Sequence, residues 1–503
     1  MELISDPEVL KTYSRDASLF EVWPKYVSCP KNVEELRELV RYANEHNESL
    51  TSRAAGTDMT GGPLNDSIIV DVKNLNEFSI GPSSVKTQPG VFYRDFEKAT
   101  LEKGLILPCY PASKDLCALG GMIGNNCGGE KSLRYGKMEN FIVESKWIFS
   151  DGNEYEIKRG ELNNEYSQKV FDLIKQNENA IRTAKPKVSK NSAGYYLWNV
   201  WDGKTFDLNK LLVGSQGTLG IMTEATVRLV PVKKHHDLVA LFFKSWDELP
   251  AVVNAILPFE PESLETFDKD TIKLGIKFMP WTFATKFWPE ILIGLEMFGL
   301  PELVVLVEIA EESGPEVKEK VGRIMEAVKP FKVWKRVVEK DSEEESFWNV
   351  RRESFNLLRK HAGNKRTAPF VEDFCLAPER VPKFLPQAKA ILKRYDIDVN
   401  IAGHAGDGNF HIIPLMDLRK GSEQEKLLPV AEEFYDLVAR FNGTITGEHN
   451  DGILRTPFLG KMYSSEVLEL FRKVKQIFDP QNIFNPNKKV GADLNYWKSH
   501  LAA

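Results

Sequence analysis

The chain of 503 residues carries 66 basic and 72 acidic side chains, which gives a formal net charge of −6. This length favours two or three domains, and 42% hydrophobic with 27% charged residues is typical of soluble globular proteins and excludes disordered and fibrous classes. Because there is no global excess of basic residues, we expect no nucleic-acid partner.

The N-terminus and the cysteines bear on location. The first residues, MELISDPEVLKTYSRD, are acidic and lack the apolar core of a secretory signal. The sequence contains no run of about 18 uncharged apolar residues, so we expect no membrane-spanning helix. The five cysteines include no Cys-x-x-Cys pair, which argues against an iron–sulfur cluster or a zinc ribbon within the chain. We therefore expect a cytoplasmic protein.

The first half of the chain alternates short apolar runs with glycine-rich turns. Residues 31–49 predict an amphipathic helix, because Leu36, Leu39, Val40 and Ala43 recur at helical spacing. Further along we expect a strand at SIIVDVKNL, a helix near 92–104, a strand at NFIVESKWIFSDG and a strand pair around 211–231.

The second half follows a different rhythm of strand, helix and strand. HHDLVALFF (235–243) and ELVVLVEIA (302–310) predict strands, and a long charged helix follows at 314–328. We place a domain boundary near residue 232, where PVKK follows the last strand of the first half.

Residues 278–300, FMPWTFATKFWPEILIGLEMFGL, form a segment rich in aromatic residues that two prolines interrupt. Base rates for aromatic burial favour a loop and helix packed in the core or on the other domain. The alternative is a patch that contacts a membrane surface or docks a partner.

Three glycine-rich blocks stand out in the first half. They are Arg53-Ala-Ala-Gly56-Thr57-Asp58-Met59-Thr60-Gly61-Gly62, then Pro111-Ala-Ser113 with Gly120-Gly121-Met-Ile-Gly124-Asn125-Asn126-Cys-Gly128-Gly129 and Tyr135-Gly136, and Gly214-Ser-Gln-Gly217-Thr218-Leu-Gly220. Glycine permits close backbone approach, and exposed N–H groups in such loops bind anions. Together the blocks predict a pyrophosphate site. No G-x-G-x-x-G follows a strand and no Walker lysine is present, so neither a Rossmann site nor a P-loop is expected.

Three of the eight histidines, His404, His411 and His449, lie close together in the second half. VNIAGHAGDGNFHIIPL predicts two strands joined by a turn at Asp407-Gly408, which would bring the first two imidazoles across from each other. Together with Glu448 they could form a divalent metal site. The alternative is a polar hairpin with buried, hydrogen-bonded histidines.

Several motifs together point to a known family. They are R-x-x-G-T…G-G at 53–62, PAS…LGGMIGNNCGG…RYG at 111–136, Lys190-Asn191-Ser-Ala-Gly194-Tyr195, and VGSQGTLGIMTEATVRLVP at 213–231. With them the chain resembles flavoproteins with the FAD fold of vanillyl-alcohol oxidase and p-cresol methylhydroxylase. Within that group it is similar to the branch of D-lactate dehydrogenases, D-2-hydroxyglutarate dehydrogenases and glycolate oxidase catalytic subunits. The resemblance covers about residues 20–490.

The resemblance implies an α+β architecture. A two-subdomain FAD-binding fold precedes an α/β substrate-binding cap domain, and a C-terminal segment returns to the flavin. We expect an N-terminal extension at 1–18, the FAD-binding domain at 19–232, the cap at 233–445, and the returning segment with the catalytic histidine at 446–503.

The resemblance also implies FAD. Thr57 stands where relatives with covalent flavin often carry histidine, so we expect non-covalent binding. Asn485, within the D-P-x-x-I-x-N-P-x-K ending, is expected near the cofactor. The expected FAD-binding residues are Arg53, Gly56, Thr57, Asp58, Met59, Gly61, Pro111, Ser113, Gly120, Gly121, Gly124, Asn125, Asn126, Gly128, Tyr135, Gly217, Gly220, Ile221 and Asn485.

H-x-G-D-G-N-x-H and G-E-H are the metal-site motifs of this family. They imply that His404, His411 and Glu448 bind zinc or manganese and that His449 is the general base. Many relatives read E-H-G where this chain has Glu448-His449-Asn450, which could alter the turn behind the base. In Phe347-Trp348-Asn349-Val350-Arg351-Arg352-Glu353, Arg351 aligns best with the carboxylate-binding arginine, with Arg352 as the alternative.

The expected activity is oxidation of a D-2-hydroxy acid, with hydride transfer to flavin N5. Some hydroxyglutarate-type relatives carry a lysine for a second carboxylate where this chain has Glu372, so a monocarboxylate such as D-lactate is favoured, unless Lys365 or Arg366 reaches the substrate. The electron acceptor is expected to be a quinone, a cytochrome, an electron-transfer flavoprotein or an iron–sulfur subunit rather than oxygen. The expected location is cytoplasmic, or peripheral at the inner face of the membrane through residues 278–300.

Three alternatives stay open. The substrate could be D-2-hydroxyglutarate or glycolate. The same fold could serve an alcohol or sugar oxidase, which would not need the predicted metal set. A third alternative is a non-catalytic, flavin-binding subunit of an electron-transfer complex, against which the retained His449 and ligand set argue.

Overall fold

The computed structural model describes residues 2–278, 299–338, 340–361 and 364–502. Residues 279–298 of the aromatic segment lie outside them, so the membrane or partner contact expected there stays a prediction. Within the described ranges, no helix combines the length and the apolar character needed to cross a membrane.

The first half contains several small sheets. Its strands are β1 (Tyr26–Ser28), β2 (Leu50–Arg53), β3 (Ile68–Asp71), β4 (Phe78–Ile80), β5 (Ser84–Thr87), β6 (Leu105–Ile106), β7 (Ile142–Ile148), β8 (Glu154–Lys158), β9 (Ile221–Arg228) and β10 (Val230–Pro231). A parallel sheet has the order β1-β3-β2, and an antiparallel sheet has the order β4-β5-β9-β7-β8. The two strands found within 211–231 do not pair with each other, because β9 lies between β5 and β7 while β10 pairs with β6.

The helices of the first half cover these sheets. They span Pro7–Tyr13, Val33–His46, Tyr93–Leu101, Leu119–Asn125, Ser132–Tyr135, Glu165–Gln176, Glu178–Ala184 and Asn209–Leu212. The helix predicted at 31–49 is confirmed, and its buried residues are the four whose spacing indicated it. Asn32 caps its start by accepting from the Glu35 amide, and Asn47 ends it in a left-handed conformation.

The second half is built on one antiparallel sheet. Its strands are β11 (His235–Phe243), β12 (Ser263–Asp268), β13 (Leu303–Glu311), β14 (Trp334–Val338), β15 (Arg366–Thr367), β16 (Phe374–Cys375), β17 (Val399–His404) and β18 (Asn409–Met416). The order is β14-β11-β13-β12-β17-β18-β15, and β16 also pairs with β18. The chain changes sheet between β10 and β11, close to the boundary expected near 232.

Helices pack on both faces of this sheet or lead out of it. They span Leu249–Ile256, Lys269–Phe278, Gly314–Ala327, Asp341–His361, Val381–Arg394, Gly421–Arg440, Gly452–Arg455, Ser465–Phe478 and Leu494–Ser499. Alternation along the strands places Glu265 on the face of Phe267, and His404 on the face of Ala402. That face packs on the helix of Phe347 and Trp348. Because Glu265 and His404 are directly paired across the two strands, their side chains lie on it together.

The C-terminal segment returns to the first half, as expected. Phe484 forms a parallel bridge to Leu50, and Leu501 forms an antiparallel bridge to Phe20. The ring of Trp497 meets that of Phe20 edge-on, with ring centroids 5.8 Å apart. The two ends of the described chain thus pack together.

Candidate functional site

The predicted histidine hairpin is confirmed. In the register of β17 and β18, His411 lies opposite Ala402 while His404 lies opposite Asn409. The two histidines are therefore diagonal neighbours on one face, with ring centroids 5.4 Å apart. The turn needs Gly408, which has φ +66° and whose added β-carbon would lie 1.9 Å from the Leu376 carbonyl oxygen.

One carboxylate oxygen forms the centre of the site. Oε1 of Glu448 lies 3.1 Å from His404 Nε2, 3.4 Å from His411 Nε2 and 3.8 Å from His449 Nε2. Its other oxygen lies 3.1 Å from Lys190 Nζ. All of these side chains are buried except that of His449, which is 27% exposed. Only the predicted base is open to an approaching molecule.

Carboxylates also stand behind the three imidazoles. His404 Nδ1 lies 2.6 Å from Glu265 Oε1, and both His449 Nδ1 and His411 Nδ1 face Glu372 Oε2, at 2.8 and 3.3 Å. Carboxylates bonded to Nδ1 fix the ring and direct Nε2 elsewhere, which is the arrangement usual for metal-bound histidine. Every Nε2 atom here is directed towards Glu448.

Asp373 shapes the loop that carries Glu448 and His449. Its carboxylate accepts from the Glu448 amide at 3.1 Å, from the His449 amide at 2.7 Å and from the Thr446 hydroxyl at 2.7 Å. Asn450 follows with φ +72°. The loop is thus not an extended strand, and the side chains of two adjacent residues can reach the same point.

The electrostatics of the site favour added positive charge. Burial would raise the pKa of Glu448, but Lys190 and His404 outweigh it and hold that pKa well below its usual value. Burial also opposes charge on the imidazoles, yet Glu265 raises the pKa of His404 to about 9, and Glu372 with Asp373 raises that of His449 to about 10. Protons or a metal ion would each balance these carboxylates.

The donor set fits a divalent metal. Two ligand atoms at about 2.1 Å from a tetrahedral zinc ion lie about 3.4 Å apart, and Glu448 Oε1 is 3.1 and 3.4 Å from the two hairpin Nε2 atoms. In the described part of the chain, ligand atoms of Asp373, His411, Glu448 and His449 also lie within 4.8 Å of one another. The structure therefore brings together the predicted ligands, with the predicted base beside them.

Arg351 reaches this cluster through Glu265. Its Nη2 and Nε lie 2.9 and 3.1 Å from Glu265 Oε2, so one carboxylate holds both His404 and Arg351. The neighbouring Arg352 instead pairs with Glu130 at 2.6 Å, and its side chain is 51% exposed. Of the two arginines, the one predicted from the alignment is bonded to the site.

Glu372 bears on the expected preference for a monocarboxylate, which stays a prediction. Glu372 is fully buried just before β16, and its Oε1 lies 2.5 Å from Arg455 Nη2 while Oε2 faces the histidines. It therefore bonds to imidazoles and offers no positive charge to a second substrate carboxylate. Nor do the side chains suggested as substitutes reach in, since Lys365 lies 3.5 Å from Asp398 and Arg366 donates to the Ala502 carbonyl.

The three glycine-rich blocks meet through their polar side chains. Asp58 Oδ1 accepts from the Thr60 and Gly62 amides, and its Oδ2 accepts from Asn125 Nδ2 at 2.8 Å. Gln216 Nε2 then donates to Asn125 Oδ1 at 3.2 Å. Blocks far apart in sequence therefore form one surface, as a shared cofactor site requires.

Two asparagines tie this surface to the rest of the site. Asn485 Nδ2 donates to the carbonyl oxygens of Gly62 and Gln216, at 2.9 and 2.6 Å. Asn450 Nδ2 donates to the carbonyl oxygens of Asn125 and Gly214, at 3.2 and 3.0 Å. The loop of the predicted base is thus bonded directly to the glycine blocks.

The second glycine block has backbone with open space beside it, which a pyrophosphate could approach. A β-carbon added to Gly124 would meet no described atom within 4 Å, and one added to Gly121 would meet only the β-carbon of Ala54, at 3.8 Å. By contrast, one at Gly129 would lie 2.0 Å from the Tyr110 carbonyl oxygen. Gly121 and Gly124 are therefore not needed for packing, and their backbone is open to a ligand.

Some of the expected FAD residues bond to other parts of the protein. Arg53 donates to the carbonyl oxygens of Tyr13 and Arg15. Tyr135 donates to Glu262 of the second half at 3.2 Å. Ile221 is buried in a hydrophobic core. FAD contacts of these three side chains stay predictions.

The sequence argument missed several residues of the site. Glu265, Arg455 and Lys137 lie outside the motifs that pointed to the site. Lys190 lies in a motif that supported the family resemblance, but no role in the site was predicted for it. Lys137 Nζ donates to the Gly447 carbonyl at 3.0 Å, which supports the loop before Glu448. A buried charge needs a partner, but nothing local in the sequence indicates where that partner lies.

Family models match both halves of the chain. The model described as FAD linked oxidases, C-terminal domain, matches residues 232–489, and the FAD binding domain model matches residues 24–158. The resemblance noted above is thereby confirmed.

Curated relatives match at low identity. The glycolate oxidase subunit GlcD of Bacillus subtilis is 28% identical over 496 residues, covering 96% of this chain and 92% of the relative. The D-lactate dehydrogenase of Archaeoglobus fulgidus is 26% identical, covering 92% and 90%. The D-2-hydroxyglutarate dehydrogenase of Haemophilus influenzae is 24% identical, and the chain spans only 48% of its length.

Solved structures match over almost the whole chain. 4-Ethylphenol oxidase from Gulosibacter chungangensis aligns with a TM-score of 0.72 over 97% of this chain and 94% of that one. p-Cresol methylhydroxylase with substrate bound aligns with a TM-score of 0.71 over 98% and 94%. At 15% identity these likenesses show the fold alone, and they confirm the expected two-part architecture.

Proposed function

The chain belongs to the family of FAD-linked oxidases, and from this we propose that it oxidises a D-2-hydroxy acid to the 2-oxo acid. The observation that carries the proposal is the convergence of three imidazole Nε2 atoms on Glu448 Oε1, at 3.1, 3.4 and 3.8 Å. The same loop is bonded through Asn450 to the glycine blocks. Side chains suited to bind a metal therefore lie beside the glycine blocks proposed to bind FAD.

The residues of the chain take separate roles in this proposal. When bound, FAD supplies the hydride acceptor, and zinc or manganese at His404, His411 and Glu448 supplies a Lewis acid that lowers the pKa of the substrate hydroxyl. His449 Nε2 accepts the hydroxyl proton as general base. Arg351 binds the carboxylate. The substrate loses one proton and one hydride, and a 2-oxo acid remains.

We propose D-lactate as the substrate to test first. Among the described residues near the site, Arg352 is paired with Glu130, Lys365 with Asp398, and Arg366 with a carbonyl oxygen. Neither of the two cations considered for a second carboxylate, Lys365 and Arg366, is bonded to the cluster, and Arg352, the alternative to Arg351 for the first carboxylate, is not either. This supports a monocarboxylate, and the D-lactate dehydrogenase among the relatives is consistent with it.

Purified protein should be screened for dye reduction with D- and L-lactate, glycolate and D-2-hydroxyglutarate. We expect turnover of D-lactate that a chelator abolishes and that zinc or manganese restores, with the flavin spectrum unchanged. The dye replaces the natural acceptor, for which we propose a quinone, a cytochrome, an electron-transfer flavoprotein or an iron–sulfur subunit. Full activity in a preparation that elemental analysis shows to be free of metal would contradict the proposed role of the metal. Oxygen-dependent turnover of alcohols alone would favour an oxidase.

A further inference from the structure

Glu372 holds two of the three imidazoles with a single oxygen. Its Oε2 lies 2.8 Å from His449 Nδ1 and 3.3 Å from His411 Nδ1. The two rings are stacked, with centroids 5.0 Å apart and planes inclined by 18°. A carboxylate can only accept, so each ring must carry its hydrogen on Nδ1 to make these bonds. Both Nε2 atoms then face Glu448 Oε1, at 3.4 and 3.8 Å.

Arg455 prevents Glu372 from turning. Its Nη2 lies 2.5 Å from Glu372 Oε1 and 3.0 Å from the Glu372 carbonyl oxygen, and its Nη1 donates to the Asn450 carbonyl at 2.9 Å. Both side chains are fully buried. Because each oxygen of Glu372 has a charged or polar partner and water is excluded, the carboxylate has one stable orientation.

We propose that Glu372 is a positioning residue that sets the tautomer and ring orientation of His449 and His411 together. The inference rests on the proposed function, which makes these histidines the base and a metal ligand. One carboxylate thus couples metal binding by His411 with proton removal by His449, so a change at Glu372 affects both at once.

Glu265 offers a matched control. It is also buried, bonds one imidazole through Nδ1 (that of His404), and pairs with an arginine, Arg351. It does not touch His449 in the bonds that the structure shows. A general loss of buried charge should therefore affect both carboxylates alike, whereas loss of base orientation should follow only from Glu372.

The variants Glu372→Gln and Glu265→Gln separate these effects. In each, the metal dissociation constant is measured by chelator competition without substrate, and flavin reduction by single turnover at saturating metal and D-lactate. We expect both to weaken metal binding about 10- to 100-fold. Only Glu372→Gln should also slow flavin reduction at saturation, by about 10²–10⁴-fold, while Glu265→Gln should mainly raise KM through Arg351. An unchanged reduction rate in folded, metal-loaded Glu372→Gln overturns the proposal.

A measurement on the unaltered holoenzyme does not depend on a variant of Glu372 folding. Nitrogen-15 NMR of labelled histidine, with His449→Asn and His411→Asn for assignment, reports which ring nitrogen carries hydrogen. We expect hydrogen on Nδ1 of both residues, since each Nδ1 faces Glu372 Oε2. A His449 ring that carries hydrogen on Nε2 and none on Nδ1 overturns the proposal even if the enzyme turns over. If the Nδ1–H signals are present but no hydroxy acid reduces the flavin, the orientation by Glu372 stands and the proposed function fails.

Discussion

The side chain of Asn450 donates to the backbone carbonyl of Asn125 at 3.2 Å. This bond joins the residue after the proposed base to the second glycine block. Many relatives carry glycine at this position, and Asn450 keeps the left-handed conformation, at φ +72°, that glycine adopts without strain. The departure from the family pattern therefore preserves the turn and adds bonds that glycine cannot make.

The flavin should be released by acid. Thr57 has no nucleophilic nitrogen to attach FAD, so we expect the purified protein to be yellow and acid precipitation to leave FAD in the supernatant. Flavin that stays with the pellet would show a covalent link from another residue.

Replacing the proposed base should separate chemistry from metal binding. His449→Asn should keep FAD and metal but slow flavin reduction by about 10²–10⁴-fold, because the substrate hydroxyl loses its proton acceptor. His404→Asn should lose metal and activity together. Metal content, flavin content and single-turnover reduction are measured on the same samples, and loss of metal from His449→Asn would make His449 a ligand instead.

Comparing variants of Arg351 and Arg352 tests which of the two arginines binds the substrate carboxylate. Arg351→Lys keeps the charge but loses the planar fork, so kcat/KM should fall about tenfold to a thousandfold, which corresponds to about 1.4–4 kcal/mol. Arg352→Lys is the matched control, since its side chain is half exposed and paired with Glu130. If the control shows the loss and Arg351→Lys does not, the two roles are exchanged.

The contact between the two halves should depend on pH through Glu311. Its carboxylate accepts from Lys320 at 2.6 Å, from Lys233 at 3.2 Å and from Arg134 of the first half at 3.2 Å. Burial opposes ionisation, but these cations outweigh it and lower the pKa of Glu311 to about 2. Since the folded pKa lies below the unfolded value, the stabilisation is complete above about pH 4.5 and is lost as pH falls towards 2.

Denaturant unfolding of Glu311→Gln at several pH values checks this. The free energy of unfolding should fall by about 1–3 kcal/mol at pH 7, and the difference from wild type should shrink below about pH 4.5. Glu312→Gln is the control, because Glu312 is adjacent but 54% exposed, and it should change stability by less than about 0.5 kcal/mol. A difference for Glu311→Gln that does not vary with pH would rule out its charge as the cause.

Local patterns in the sequence were enough to place the hairpin and the helices Val33–His46, Tyr93–Leu101 and Gly314–Ala327. His404 and His411 belong to two strands joined by a short turn, so their proximity follows from the turn at Asp407-Gly408. The register of the two strands makes them diagonal neighbours rather than directly opposed residues. Adding or removing one residue in the turn would change that register, so it could not be predicted from the sequence.

The carboxylates behind the imidazoles could not be predicted from local patterns. Glu265 lies 139 residues before His404, and Lys190 lies 258 residues before Glu448. Their pairing depends on how the sheet of the second half packs on the first half, for which periodicity carries no signal. Glu372 illustrates this, because its place in a motif gave no indication of its bonds to His449, His411 and Arg455.

The bonds of Asn485 also constrain when the cofactor site can be complete. Its amide holds the first and third glycine blocks, and its Oδ1 accepts from Thr51, 434 residues earlier in the chain. During synthesis the glycine blocks leave the ribosome first, but the residue that joins them is made near the end of the described chain. A nascent N-terminal domain can therefore collapse early, yet we expect it to retain FAD only after the segment around residue 485 has been translated and has folded back.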